Sequence, residues 1–109
     1  MNKLNELAAR AMGFSKDDAY ACWVRSDRPA MITYKDWSPD EDCNQALELL
    51  EKVIGPATWE LKHDDCKYMT YEYRQGFNAF EESLPLSMTV CALRAFGIPE
   101  QELQEAMRE

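Results

Sequence analysis

The spacing of apolar residues along the chain predicts helices near both of its ends. From Asn2 to Met12, apolar residues recur every three or four positions, and Gly13 is suited to ending a helix. A second segment, from about Leu84 to Phe96, is apolar on nearly all sides, with Arg94 as its only charged residue. Since such a helix has to be buried on nearly all sides, we expect it to be the central packing element of the fold. Residues 98–109 predict a last, mostly exposed and peripheral helix.

The helix between these two has the clearest start signal in the chain. Ser38, Pro39 and Glu41 have the spacing of a capping box, which predicts an N-cap at Ser38 and a helix that ends at Gly55. Trp37 comes just before the cap, and we expect it to act as a hydrophobic staple that packs one turn into the helix. The predicted inner face of this helix consists of Cys43, Ala46, Leu47, Leu50, Val53 and Ile54.

The segment from residue 57 to residue 80 changes to residue types that are typical of strands. Three runs, TWELK, KYMTYEYR and FNAF, are separated by polar turns, which predicts three consecutive antiparallel strands. Two short strands are also predicted around 21–24 and 31–34, with a turn from Ser26 to Pro29. The pattern as a whole predicts one α+β domain over residues 1–109. We expect a small antiparallel sheet of three to five strands, with the apolar helix in the core and the helix that follows Trp37 covering it.

Composition and charge exclude several classes of protein. The chain has 109 residues, of which 46% are hydrophobic, so it has the composition of a globular domain and not of a disordered segment. Its net charge of −8 disfavours direct binding of nucleic acid or of anionic membranes. No apolar run is long enough to span a bilayer, and the N-terminus lacks the pattern of a secretory signal, so we expect a cytoplasmic protein. The four cysteines form no CxxC pair, and we expect free thiols.

The acidic residues are unevenly distributed along the chain. Residues 1–35 contain six bases and four acids, whereas residues 36–109 contain six bases and sixteen acids. Part of this excess forms an acidic face on and around the second helix, at Asp36, Asp40, Glu41, Asp42, Glu48 and Glu51. Such a run is often a solvated helix surface, and its negative charges stabilise the helix when they lie near the helix N-terminus. The alternative is a surface that docks on a basic protein, for instance one that itself holds nucleic acid.

Two other groups of side chains are suited to binding or chemistry. Trp59, Tyr68, Tyr71 and Tyr73 lie in the predicted strands, where such residues pack in the core, pair across strands, or form a stacking platform for a nucleotide base. His63 is the only histidine, and the chain has no second pair of ligands of the kind that structural zinc sites use. No GxSxG motif or glycine-rich phosphate loop occurs. We therefore expect no metal, no cofactor, no catalytic residues and no enzymatic activity.

One stretch of the chain resembles a known family. The sequence DWSPDEDCNQALELLEKV, followed by TWEL, an aromatic strand and ESLPLSMTVCALRAFGI, resembles the small phage and prophage proteins of the phage ABA sandwich domain family. The resemblance covers about residues 35–98 and the first helix, and it does not extend to residues 15–34 or to the tail. It implies an α/β/α sandwich, with helices on both faces of the sheet, and an origin in a mobile element. It implies no catalytic residues.

Size, acidity and this resemblance lead us to expect a non-enzymatic interaction protein that acts in the host cytoplasm. Its expected partner is a basic host protein, such as a nucleic-acid-binding defence component that it inhibits, as an anti-CRISPR protein does. The alternative function is the binding of a small nucleotide signal through the aromatic face of the sheet. The sequence leaves the oligomeric state open.

Overall fold

A computed structural model describes residues 2–25, 31–55 and 59–108, and this part of the chain contains four helices and six strands. The elements are, in chain order, α1 (Lys3–Met12), β1 (Ser15–Asp17), β2 (Cys22–Val24), β3 (Met31–Thr33), α2 (Cys43–Ile54), β4 (Trp59–Asp64), β5 (Lys67–Glu72), β6 (Asn78–Glu81), α3 (Leu84–Phe96) and α4 (Glu100–Met107). The single-domain α+β fold is therefore confirmed. Its strands form two antiparallel sheets of three strands each, in the orders β1-β2-β3 and β4-β5-β6.

The prediction that α3 is the central packing element is confirmed. All residues from 87 to 93 are buried, and they include polar Ser87 and Thr89. On one side α3 lies against β5 and β6, where Ser87 Oγ and Thr70 Oγ1 are 2.8 Å apart and share a hydrogen bond. On another side it packs against α2, while α1 contacts α2, α3 and α4. The second sheet is thus covered by α3 on one face, and its opposite face stays open in the described part of the chain.

The three predicted consecutive strands are confirmed as β4, β5 and β6. The turn between β4 and β5 consists of Asp65 and Cys66, whose φ angles of 46° and 64° are those of a tight two-residue hairpin turn. Residue pairs across the strands include Trp59 with Glu72, and Glu60 with Tyr71. This register fixes which side chains share a face of the sheet.

The predicted start of the second helix is wrong by four residues. Asp42, not Ser38, is the N-cap of α2, and its carboxylate accepts hydrogen bonds from the main-chain amides of Asn44 and Gln45. The predicted inner face also shifts, because Leu49 is buried while Cys43 is exposed. Ser38 instead opens a turn, in which its carbonyl accepts hydrogen bonds from residues 41 and 42.

Long-range contacts explain why residues 36–41 form a packed loop and not the first turn of the helix. Trp37 is 1% exposed, and its indole Nε1 donates to the carbonyl oxygen of Asn5 at 2.9 Å. Thr89 Oγ1 donates to the carbonyl oxygen of Pro39 at 2.9 Å. The side chain of Gln45, on α2, donates to the main-chain carbonyl of Asp36 and accepts from the main-chain amide of Ser38. It therefore provides hydrogen-bond partners for two main-chain groups of the loop. Trp37 is therefore a core residue that joins this loop to α1, not a local staple.

The remaining elements are short. The strands predicted around 21–24 and 31–34 are confirmed as β2 and β3, and β1 adds a third strand to them. The predicted turn from Ser26 to Pro29 lies outside the described residues. Most of α4 is exposed, although Leu103 and Ala106 are buried on its inner side. Within residues 2–25, 31–55 and 59–108, no helix has the length and apolar character needed to cross a membrane.

Candidate interaction surface

Three of the six residues of the predicted acidic face are open to solvent. Asp36, Glu41 and Glu51 are exposed, and their carboxylates make no hydrogen bond or ion pair with another described residue. The carbonyl of Asp36 accepts from Gln45 Nε2 at 2.7 Å, which holds Asp36 beside the first turn of α2. Glu41 comes just before the helix, and Glu51 lies on its exposed side. We call these three residues the open acidic face.

The other three carboxylates of the predicted face take part in the fold. Asp42 caps α2, as described above. Glu48 forms an ion pair with Arg25, whose side chain is only 8% exposed. Because the Arg25 side chain is largely buried, its ion pair gives Glu48 a structural role that the sequence did not indicate.

Asp40 joins the loop to the start of α1. Its Oδ2 accepts from Asn2 Nδ2 at 2.9 Å, and its main-chain amide donates to Asn5 Oδ1 at 3.4 Å. The other carboxylate oxygen, Oδ1, is buried and has no hydrogen-bond partner among the described residues. Asn5, a polar residue that is 4% exposed, is thus placed between Asp40 and Trp37. Sequence reasoning missed this polar contact because its partners are more than thirty residues apart.

A cleft of about 660 Å³ lies next to the open acidic face. Its walls come from the start of α1, the turn before β2 and the loop after β3, and they include Tyr20, Tyr34, Lys35, Asp40 and Glu41. Lys35 partly balances the two carboxylates, so the cleft itself is not strongly charged. The cleft therefore gives this side of the molecule a concave surface, and Glu41 belongs both to the wall of the cleft and to the open acidic face.

Tyr34 is fixed in the wall of this cleft by a hydrogen bond. Its hydroxyl donates to Asp18 Oδ1 at 2.6 Å. Loss of solvent around the phenol, followed by the nearby Asp18 carboxylate, raises the pKa of Tyr34 to about 12. The side chain therefore stays neutral and remains a hydrogen-bond donor at physiological pH.

The four aromatic residues predicted as a possible platform do not share one face. Trp59 is opposite Glu72, which is 3% exposed, and Tyr68 alternates with buried Thr70 on the same strand. Trp59 and Tyr68 therefore lie on the side of the sheet that faces α3, whereas Tyr71 lies on the opposite side. Tyr73 packs edge-on against Tyr71, with ring centroids 5.2 Å apart. This arrangement leaves two tyrosines, not four aromatic residues, on the open side.

The histidine and the thiols are dispersed. His63 stacks on Tyr68 at a centroid distance of 4.4 Å. All four cysteines are free; Cys43 and Cys66 are exposed, while Cys22 and Cys91 are buried. Burial, followed by the charge of Glu72, raises the pKa of the Cys91 thiol to about 12. The described residues contain no group of three His, Cys, Asp or Glu side chains placed to hold a metal ion.

Comparison with known proteins gives a match at the level of the fold. No protein-family model matches the chain, and no curated protein matches it. Among solved structures, the chain is similar to a phage protein from Bacillus cereus ATCC 14579, determined by crystallography at 2.0 Å. The TM-score is 0.65 at 18% sequence identity, and the match covers 87% of this chain and 85% of that protein. The two proteins therefore share a fold over most of their lengths.

Proposed function

We propose that this chain is a phage- or prophage-encoded protein without enzymatic activity, which acts by binding a basic host protein through the open acidic face. The similarity in fold to a phage protein, together with the resemblance to the phage ABA sandwich domain family, supports the origin. The proposed partner is a nucleic-acid-binding component of host defence, which the protein inhibits in the manner of an anti-CRISPR. Such a partner presents a positive surface that a compact, acidic protein is suited to cover.

The observation that carries this proposal is the contrast between the open acidic face and other carboxylates. Some acids elsewhere are paired with a base of the chain, as Glu100 is with Arg94 at 2.8 Å and Glu102 with Arg10 at 3.4 Å, whereas exposed Asp65 and Glu82 have no such pair among the described residues. Asp36, Glu41 and Glu51 have no such partner among the described residues. Their charges are therefore available to attract a positive surface, an effect that raises the association rate and weakens as salt is added.

The test uses a variant that removes the charge of the open acidic face and leaves the fold intact. In the variant D36N/E41Q/E51Q, all three changed side chains are exposed, so we expect each to change stability by less than about 0.5 kcal/mol. Asp40, Asp42 and Glu48 stay unchanged, because they hold the loop, the helix cap and the pair with Arg25.

A matched control changes the net charge by the same amount at other positions. The variant D65N/E82Q/E105Q also replaces three exposed acids, in the β4–β5 turn, before α3 and in α4. Tagged wild type and both variants are used to capture partners from a lysate of the bacterial host, with quantitative mass spectrometry. We expect a basic protein that is captured by wild type and by the control, and is depleted at least about tenfold with D36N/E41Q/E51Q. Equal capture by all three proteins, or equal loss with both variants, would contradict docking through this face.

A further inference from the structure

The cleft beside the open acidic face contains a polar side chain that is buried but only half satisfied. Asn5 is 4% exposed and lines this cleft. Its Oδ1 accepts from the main-chain amide of Asp40 at 3.4 Å, which leaves Nδ2 as the other end of the carboxamide. Within the described residues, Asp40 Oδ1 is the one unpaired side-chain atom that is fully sealed, so Asn5 Nδ2, which donates to no described residue, keeps access to the cleft. The wall of the cleft therefore presents a hydrogen-bond donor.

The other polar groups of Asn5 are used by the fold. Its main-chain amide donates to Asn2 Oδ1 at 2.8 Å, and its carbonyl oxygen accepts from Trp37 Nε1 at 2.9 Å. Buried polar groups of native proteins nearly always have a hydrogen-bond partner, in the protein or outside it. Because Nδ2 of Asn5 has no partner among the described residues, it indicates a ligand that brings a hydrogen-bond acceptor into the cleft.

The charges of the cleft favour a cationic group next to that acceptor. Asp40 and Glu41 are consecutive acids in its wall, and Lys35 is the one base among its lining residues. The Asp40 carboxylate has a neutral partner, Asn2 Nδ2, and Glu41 is exposed with no ion pair to a described residue. Since the main-chain amide of Asp40 donates to Asn5, the place for a cation and the place for an acceptor lie side by side.

Aromatic side chains supply the apolar part of the cleft. Tyr20, which is 77% exposed, Tyr34 and Trp37 all line it. The main-chain amide of Tyr34 donates to the carbonyl oxygen of Ala21 at 2.9 Å, which ties the turn that carries Tyr20 to the loop after β3. The volume of about 660 Å³ is within the range usual for sites that bind small molecules. The cleft therefore has room for an apolar side chain and for further atoms beyond it.

We propose that this cleft binds the amino terminus of a peptide whose first side chain is apolar. The α-ammonium group lies against Asp40 and Glu41, the first carbonyl oxygen accepts from Asn5 Nδ2, and the first side chain packs on Tyr20. A simple amine lacks the acceptor, an internal peptide segment lacks the ammonium group, and a carboxylate at Asn5 would be repelled by Asp40. This site goes beyond docking on a basic host protein, and it shares Glu41 with the open acidic face.

Titration of the isotope-labelled full chain with leucinamide, followed by NMR, tests the proposal. We expect the main-chain amide signals of residues 33–41 to shift, with a dissociation constant of about 1 mM for a ligand of this size. Isopentylamine lacks the carbonyl group and N-acetylleucinamide lacks the ammonium group, so each should bind at least about tenfold more weakly. Absence of shifts with leucinamide up to about 20 mM, or equal binding of either analogue, would overturn the proposal. Equal or tighter binding of leucine, which carries a carboxylate, would overturn it in favour of a free amino acid.

Two variants locate the ammonium group. Glu41→Gln removes an exposed carboxylate from the wall of the cleft, and it should weaken leucinamide binding at least about fivefold. The matched control Glu51→Gln removes the same charge from the exposed side of α2, away from the lining residues, and it should bind like wild type. Equal binding by the two variants would contradict the assigned position. No host protein is present in these titrations, so their outcome is independent of docking through the open acidic face.

Discussion

Replacing Trp37 by phenylalanine tests whether residues 36–41 are held by long-range packing. Trp37 is 1% exposed, its indole Nε1 donates to the carbonyl oxygen of Asn5 at 2.9 Å, and its ring packs edge-on against Phe14 at 4.9 Å. Phenylalanine keeps an aromatic ring in this position but removes the hydrogen-bond donor and part of the ring volume. The variant is therefore less disruptive than alanine, which would be expected to cost about 3 to 5 kcal/mol.

The magnitude follows from two losses. A buried hydrogen bond between neutral groups contributes about 1 kcal/mol to stability. The smaller ring leaves roughly 40 Å³ unfilled, which costs about 1 kcal/mol at the rate measured for buried cavities. We expect Trp37→Phe to lower the free energy of unfolding by about 2 kcal/mol, equivalent to about 8 °C in Tm for a domain of this length.

Urea denaturation of wild type and two variants measures this effect. The matched control is Trp59→Phe, because the indole of Trp59 also donates to a main-chain carbonyl, that of Gly55 at 3.1 Å, but is only half-buried. Trp59→Phe should lower the free energy of unfolding by less than about 1 kcal/mol, since the smaller ring leaves a gap that water can enter. If Trp37→Phe changed stability by less than about 0.5 kcal/mol, or by no more than Trp59→Phe, the packing assigned to Trp37 would be wrong.

Two further predictions concern titratable side chains. In the native protein at about pH 8, exposed Cys43 and Cys66 should react with a thiol reagent promptly and buried Cys91 slowly, whereas all four thiols should react in denaturant. Fast reaction of all four thiols in the native protein would contradict the burial of Cys91. Reaction of fewer than four thiols in denaturant would contradict the assignment of free thiols. Because the pKa of Tyr34 is raised to about 12 by loss of solvent and by Asp18, its contribution to stability should be complete below about pH 10 and lost as the pH rises through about 12. Absorbance titration should show a late-ionising tyrosine that Tyr34→Phe removes, and an unchanged titration curve in that variant would refute the assignment.

The parts of the fold that were predicted from the sequence are those set by neighbouring residues. The periodicity of α1 ends at Gly13, which has the positive φ of 79° typical of a left-handed helix cap. The apolar residues of α3 surround it, and burial of residues 87–93 follows directly from that pattern. The turns between β4, β5 and β6 likewise have local signals.

The start of α2 was missed because two residues compete for the cap. Ser38 and Asp42 both have side chains suited to the N-cap position, and the local pattern favours Ser38. The choice of Asp42 depends on contacts of the loop with distant residues, above all those of Trp37 with Asn5 and of Pro39 with Thr89. No spacing rule within the segment contains that information.

The candidate surface was predicted in part, for similar reasons. Exposure of Asp36 and Glu41 before α2, and of Glu51 on α2, agrees with the solvated acidic surface that the sequence predicts on and around this helix. The pair of Glu48 with Arg25 was not predicted, because it joins residues 23 positions apart in the chain. In contrast, the separation of Tyr68 from Tyr71 follows from the two-residue alternation of a strand and was available from the sequence. The open acidic face is therefore smaller than the sequence suggests, and it contains the residues that the fold does not use.

The rate at which the protein associates with its captured host partner, measured as a function of salt concentration, tests the docking proposal most directly. Surface plasmon resonance with wild type, D36N/E41Q/E51Q and the control D65N/E82Q/E105Q separates the association rate from the dissociation rate. We predict that wild type and the control associate at rates that fall steeply as salt rises, and that D36N/E41Q/E51Q associates at least about tenfold more slowly at low salt, with a weaker salt dependence. An association rate and salt dependence of D36N/E41Q/E51Q equal to those of the control would contradict docking through the open acidic face.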